Sequence, residues 1–414
     1  MSQKNSSSEP IAQRIFRLLF LVMIIAALGI GGFAASSPST NGATATPDLG
    51  LNQPNTFPTV PPEGTHIIPK YTIFHSSGVI SLPLLENWDV PQDGEEKLYP
   101  STADGFARVG LMFINSFSQS VVHAFAELDP NRKVNTLQDL GTMFDSAYLD
   151  AAWKDYTGGW QESERKIDSD TYVLNLTLTL NQQGYSNIFY GRQLARFDGQ
   201  WLITMRLVAP NNNPQLLDQL QRALWNEFRL WRPALSVPLN WPAITDYAAG
   251  YVIKYPSTWT LSDGVPGKPY SVTGTAGNNK VLLTTRVQLN AQVKTEDEVK
   301  AWLQANIPKA TLMQLKIDTI NGINGFTFSY SDPDPDGNQR SSVTTLLNSP
   351  DNRLFVVTEQ WAGRGVDLLD STNVNVPPEL AQVRGSFFAV QQNMLVPTVT
   401  PAPTLTPLAT VTPG

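Results

Sequence analysis

The stretch LNLTLTL at residues 174–180 alternates apolar and polar side chains without interruption. Leu174, Leu176, Leu178 and Leu180 project from one side of an extended chain, and asparagine and threonine project from the other. A period of two predicts a half-buried strand of an antiparallel sheet.

The same pattern returns later, where Phe326, Phe328 and Tyr330 alternate with small polar residues. Each alternating strand is followed by two more predicted strands, joined by the turn dipeptides Asp198-Gly199 and Asp351-Asn352. Dipeptides of this kind are typical of tight hairpins. The chain therefore contains a repeat that can be followed element by element.

A helix is predicted before each alternating strand. In the first copy, Asn135 or Thr136 can cap a helix over residues 137–153, and in the second copy Thr295 and Glu298 form a capping box. Each copy also closes with a helix that begins at proline, a residue favoured at the first helical position. The order β–β–α–β–β–β–α in each copy predicts an α+β fold.

The second copy opens with AGYVIKYPSTWTL, in which Tyr255 and Pro256 precede Trp259. This YP..W opening, with the element order, resembles the PsbP/Mog1p-like α/β family. The first copy, with Pro83 and Trp88, lacks the tyrosine, and a different small α+β fold of similar order is its alternative. The resemblance implies antiparallel sheets sandwiched between helices and a non-catalytic scaffold role, and it carries over no ligand residue.

The apolar run at residues 18–35 has a positively charged flank at residues 1–17. Its length is close to that of a spanning helix, and its small residues also fit a cleaved signal peptide. Both interpretations export the rest of the chain. We expect a single-pass membrane protein with its bulk outside the cytoplasm, or else a secreted one.

Low-complexity segments rich in Pro, Thr and Ser separate the predicted bodies from the ends of the chain. Such composition cannot bury enough apolar surface to offset its ordering entropy. The predicted organisation is a cytoplasmic N-terminus at 1–17, an anchor or signal at 18–35, a linker at 36–63, PsbP/Mog1-like domains at 64–235 and 240–392, and a disordered tail at 396–414.

The composition excludes several kinds of chemistry. The chain has no cysteine, so disulfides, thiolate metal sites and a cysteine nucleophile are ruled out. It carries 36 acidic and 29 basic residues, which makes nucleic acid an unsuitable partner. Sequence motifs of hydrolases, nucleotide-binding loops and zinc proteases are missing from it. We therefore predict no catalytic residues and no cofactor.

The segment DPDPDGN resembles the first half of a calcium-binding loop. Asp332, Asp334 and Asp336 alternate, with Asn338 after the glycine, so their oxygens can approach a common centre. The glutamate expected at loop position 12 is replaced by Val343. A calcium site and an acidic hairpin turn are the two interpretations.

A second cluster, AAWKDYTGGWQ, brings aromatic residues next to a Gly-Gly pair. Tyr156 and Trp160 can form a contact surface for a protein or sugar, or they can close the edge of a core.

We expect a membrane-anchored, non-catalytic binding or assembly module with a protein partner in the cell envelope. The alternatives are a calcium- or sugar-responsive surface sensor and an extracytoplasmic hydrolase with a site between the domains.

Overall fold

A computed structural model describes residues 67–91, 95–99, 107–115, 118–128, 134–182, 185–334 and 336–390. The predictions for the N-terminus, the anchor or signal, the linker and the tail lie outside these residues. None of the helices in the described part of the chain combines the length and the apolar character needed to cross a membrane.

The elements of the first half are β1 (Pro69–Phe74), β2 (Ile80–Leu85), β3 (Glu95–Tyr99), β4 (Ala107–Asn115), β5 (Ser120–Leu128), α1 (Asp139–Met143), α2 (Ser146–Ala152), β6 (Gly159–Asp168), β7 (Thr171–Gln182), β8 (Tyr185–Asp198), β9 (Trp201–Pro210), α3 (Gln215–Leu224), a 3₁₀ turn (Trp225–Glu227), β10 (Arg229–Leu230) and α4 (Arg232–Leu235).

The elements of the second half are β11 (Ala243–Asp246), β12 (Tyr251–Lys254), β13 (Thr260–Asp263), β14 (Tyr270–Ala276), β15 (Asn279–Leu289), α5 (Glu296–Asn306), β16 (Thr311–Ile320), β17 (Ile323–Pro333), β18 (Gln339–Asn348), β19 (Arg353–Trp361), α6 (Pro378–Gly385) and β20 (Phe388–Ala389).

Each half contains one large and one small sheet, and the described strands pair antiparallel. The large sheets have the orders β3-β4-β5-β9-β8-β7-β6 and β13-β14-β15-β19-β18-β17-β16, and the small ones are β1-β2-β10 and β11-β12-β20. Strand for strand, the second half has the same order as the first. The prediction of antiparallel sheets accompanied by helices is confirmed at this level.

The leucines of the alternating stretch lie in a core beneath α1 and α2, as the pattern predicts. The prediction of a half-buried strand is wrong on its polar side, because Asn175 and Thr177 are also buried. On that side α3 covers the sheet, and Arg192 donates from Nε to Asn175 Oδ1 and from Nη1 to Asp218 of α3. A buried polar side chain remains stable when its hydrogen bonds are made in this way.

The single helix predicted over residues 137–153 is in fact two short helices, α1 and α2. Asp145 lies between them in an extended conformation and accepts a hydrogen bond from the backbone N–H of Tyr148, so it starts a new helix. The predicted cap at Asn135 or Thr136 is wrong, because α1 begins later, with Gln138 at its N-cap position and no side-chain cap. The Thr136 hydroxyl accepts from the Asp139 N–H in the turn before the helix. The capping box at Thr295 is confirmed.

The two halves are joined by a continuous core. The ring of Trp231 stacks on Phe388, with centroids 4.9 Å apart, and Phe74 packs against both. The backbone N–H of Ala243 donates to Ser76 O across the joint at 2.7 Å. Since aromatic side chains bury large areas, these contacts hold the halves in one fixed arrangement.

Lys254 is fully buried at the same joint. Its ammonium donates to the carbonyl of Ala234 at 3.2 Å and to that of Leu239 at 3.4 Å. Burial lowers the pKa of Lys254 to about 7. A charge-bearing side chain therefore lies where the halves meet, held by backbone oxygens.

Candidate functional site

An open groove of about 900 Å³ lies on the second large sheet. Helix α5 packs on the same sheet face, where Val299 and Leu303 contact a core that includes Leu354 and Val356 of β19. Gln360 projects from that face too, because alternate residues of a strand share a face. The helix leaves this part of the sheet uncovered, and the groove occupies it.

A cross-strand row of side chains forms the floor of the groove. Thr260 pairs with Thr273, Thr273 with Leu282, and Leu282 with Gln360, so the row runs over β13, β14, β15 and β19. Residues that are directly opposite in neighbouring strands project to the same side. The floor therefore presents hydroxyl and amide groups around one aliphatic side chain.

The rim of the groove is built by the segment that includes the predicted calcium motif. Asp334 Oδ1 accepts from the Asn338 N–H at 2.7 Å, which fixes the turn. Arg364 donates to Asn338 Oδ1 at 2.9 Å. Arg340 extends from the start of β18 and forms an ion pair with the buried Asp332 at 2.7 Å. The rim side chains are thus tied to one another.

Basic side chains outnumber acidic ones along the groove, although the chain as a whole has a formal net charge of −7 and Arg340 is already paired with Asp332. Lys280, Arg340 and Arg364 line it, and Asp334 is the acidic side chain among its lining residues. Lysine and arginine are strong donors to carboxylate and phosphate oxygens. With the threonine hydroxyls beside these cations, the groove is suited to an anionic, oxygen-rich ligand.

The oxygen atoms of the four residues in the predicted calcium motif do not converge on one point. Both carboxylate oxygens of Asp332 are engaged, one by Arg340 and the other by the hydroxyl of Ser342. Asp334 holds the turn, while Asp336 and Asn338 are exposed. In the described part of the chain, no three His, Cys, Asp or Glu residues are grouped so that they could hold a metal ion. The geometry favours the hairpin-turn interpretation, and a calcium site stays a prediction.

The two aromatic residues predicted for partner contact lie in different environments. Tyr156 is 5% exposed and packs between Trp153 and Phe189 in the core of the first half. Trp160 is half-buried at the edge strand β6, and its Nε1 donates to Asp150 Oδ1 at 2.9 Å. Trp160 is therefore partly accessible to a partner, whereas Tyr156 is part of the core. Neither residue lines the groove.

The groove was not anticipated from the sequence, although one signal was present. Thr273 and Thr275 are spaced by two within β14, so they share one face of that strand, and Thr258 and Thr260 have the same spacing where β13 begins. Reading these pairs as one surface requires knowing that β13 and β14 are neighbours.

A buried ion pair supports the sheet on its opposite face. Arg384 of α6 donates to Glu359 of β19, and Glu359 has no exposed surface. Burial raises the pKa of Glu359 to about 7, and the guanidinium of Arg384 opposes that rise. Removal of one partner would leave an uncompensated charge in the core. The pair therefore fixes α6 behind the sheet that carries the groove.

Comparison with known proteins gives only distant similarities. No family model matches the chain, and no curated protein matches it. Among solved structures it is similar to the cyanobacterial PsbP, CyanoP, from Synechocystis, with 10% identity over 41% of this chain and 96% of that one and a TM-score of 0.26.

It is also similar to LpqN of Mycobacterium tuberculosis, described as involved in cell envelope biogenesis, with 10% identity over 40% of this chain and 92% of that one and a TM-score of 0.22. The immunity protein TplEi of the type VI secretion system of Pseudomonas aeruginosa has 9% identity over 79% of this chain and 98% of that one, with a TM-score of 0.22. Likenesses at this level carry no argument about function.

Proposed function

We propose that the protein is an exported, non-catalytic binding or assembly module with two tandem PsbP/Mog1p-like domains, at residues 64–235 and 240–392. In this proposal residues 18–35 anchor it in the membrane, and the groove on the second domain binds a carboxylate-rich segment of a protein partner in the cell envelope. The observation that carries the proposal is the concentration of cationic and hydroxyl side chains in the groove of an acidic protein.

The ligand is held by charge and by hydrogen bonds. Lys280 and Arg364 are exposed, so they can reach a bound carboxylate without breaking the core. Each exposed ion pair contributes about 0.2–1 kcal/mol, and threonine hydroxyls add hydrogen bonds along the floor. The fixed joint between the halves gives the groove a constant orientation, which suits an assembly role better than a flexible tether does.

The test uses the full chain purified in detergent and a fluorescent peptide of alternating glutamate and serine. Fluorescence anisotropy gives the dissociation constant at low and at physiological salt. We expect Lys280→Ala combined with Arg364→Ala to weaken binding about tenfold, because two ion pairs are lost. The matched control replaces Lys294 and Lys309, two exposed lysines outside the groove, with alanine. Absence of peptide binding, or an equal loss in the control, would refute the proposal.

A neutral sugar chain is the second candidate ligand, favoured by the four threonines of the groove. Binding of a carbohydrate does not depend on counterion screening, whereas binding of an acidic peptide weakens as salt shortens the reach of the charges. An oligosaccharide that binds equally at both salt concentrations would identify this candidate.

A further inference from the structure

The strand β16 forms one edge of the second large sheet. It joins β17 through Asn321 and Gly322, which both have positive φ, as a two-residue hairpin turn requires. In such a hairpin, alternate residues direct their backbone groups towards the partner strand. The N–H and C=O groups of Leu315 and Ile317 therefore point away from β17, as does the N–H of Thr319, which donates to Asp318 Oδ1 instead.

The side chains of β16 do little to protect this edge. Ile317 is 74% exposed and Met313 is 42% exposed, and the strand carries only two charged residues, Lys316 and Asp318. The equivalent edge strand of the first sheet, β6, carries more charges, distributed over most of its length. Charged side chains protect sheet edges against pairing with another chain. The edge at β16 is therefore less protected than the edge at β6 against pairing with another chain.

We propose that β16 pairs with β16 of a second copy of this chain, antiparallel across a two-fold axis, with Ile317 opposite Ile317. Lys316 then lies opposite Asp318 of the second copy, and the same ion pair forms twice. Leu315 lies opposite Thr319, so the outward-pointing backbone groups meet as hydrogen-bonded pairs, and the Thr319 N–H exchanges Asp318 Oδ1 for the carbonyl of Leu315 in the second copy. The lysine and aspartate occupy the closer, non-hydrogen-bonded positions.

The charge pattern selects this edge and this partner. Lys316 Nζ lies 3.3 Å from Asp318 Oδ2 within one copy, so both side chains already project to the same face. The first sheet has the same Lys-Ile-Asp triplet at residues 166–168. In β6, however, this triplet ends the strand, because Asp168 pairs with Thr171 and the hairpin turn follows at once. A pairing about Ile167 would therefore be cut short on one side, whereas β16 continues beyond Asp318 to Ile320. Pairing at β16 brings no like charges together, and the two-fold symmetry limits the assembly to a dimer because each copy uses its β16 edge once.

The absence of cysteine from the chain makes a direct test possible. Hydrogen-bonded residues in antiparallel strands have Cα atoms about 5.5 Å apart, which lies inside the range of about 4.4–6.8 Å for a disulfide. Under mild oxidation of the full chain in detergent, we expect Ile317→Cys to form a covalent dimer and the matched control Ile167→Cys to remain monomeric. No dimer at position 317, or equal dimer at both positions, would overturn the proposal.

Charge exchange provides a second measurement on the same protein. Lys316→Asp or Asp318→Lys alone replaces both ion pairs with like charges, and we expect the dimer dissociation constant from sedimentation to rise about tenfold. The combined exchange restores opposite charges across the axis and should restore the dimer. Circular dichroism shows whether each variant is folded. A folded double variant that associates no better than the single ones would contradict the pairing.

Discussion

Replacement of Lys254 with methionine tests the most unusual feature of the joint between the halves. Methionine keeps an unbranched side chain of similar length and removes the charge. The wild-type ammonium contacts the carbonyls of Ala234 and Leu239, and burial lowers its pKa from 10.5 to about 7. Protonation of this lysine therefore costs folding free energy, and the size of the cost depends on pH.

The direction in which wild-type stability changes with pH follows from proton uptake by the unfolded chain. Between about pH 10 and pH 7 the unfolded chain takes up a proton that folded Lys254 does not, so the wild-type stability falls as the pH falls. Below about pH 7 both states are protonated and the cost is constant. The pKa difference corresponds to about 5 kcal/mol, because one pKa unit is about 1.36 kcal/mol.

Loss of the two hydrogen bonds of Lys254 lowers the free energy of unfolding of the variant by about 2 kcal/mol in total. At pH 6–7 we therefore expect Lys254→Met to be about 2–3 kcal/mol more stable than the wild type. Near pH 10.5, folded Lys254 is neutral and the unfolded lysine is only half protonated, so most of the cost has disappeared and the variant should be about 1–2 kcal/mol less stable.

Urea unfolding of the full chain, followed by tryptophan fluorescence at pH 6.5, 8.5 and 10.5, measures this reversal. Titration of other groups is common to both proteins and cancels in the difference. Lys309→Met, at an exposed position, is the control and should show no pH-dependent difference. A stability difference for Lys254→Met that is the same at all three pH values would refute the reasoning.

Two further predictions concern the joint and the acidic turn. Phe388→Ala removes the ring stacked on Trp231 and should destabilise the protein by about 3–5 kcal/mol, with calorimetry showing two transitions instead of one. A single transition at an unchanged temperature would contradict this. Addition of millimolar calcium should leave the melting temperature unchanged, because Asp332 is bonded to Arg340 and Ser342. A rise in melting temperature that Asp334→Ala abolishes would establish the calcium site instead.

The features that sequence predicts well here are those set by neighbouring residues. The alternation at 174–180 places its leucines in the core, and Thr295 with Glu298 forms the capping box, because both depend on spacing within one element. The turn after Asp198 is likewise local, since Gly199 has a φ of +63°. The order β–β–α–β–β–β–α predicted for each copy is wrong in its number of strands, because each half has five strands before its first helix and four between that helix and the closing one.

The features that were missed depend on distant parts of the chain. The edge strands β6 and β16 lack clean alternation, because an edge strand is only partly covered by the core. Sequence alone suggests that Lys254 is a surface residue of a short strand. Its burial depends on the first half, where the carbonyl of Ala234 accepts from its ammonium. The groove forms because β13 and β14 lie beside β15 in the sheet. The division of the predicted helix into α1 and α2 depends on one capping residue, Asp145.

The shared core at the joint has a consequence for the order in which the chain acquires its structure. Phe388 and Val390 belong to the core of the first half, although they are among the last described residues. Because synthesis runs from the N-terminus, the first half cannot complete its core until the second half has been made. The first half therefore reaches its final packing only late in synthesis, when nearly all of the described chain is available.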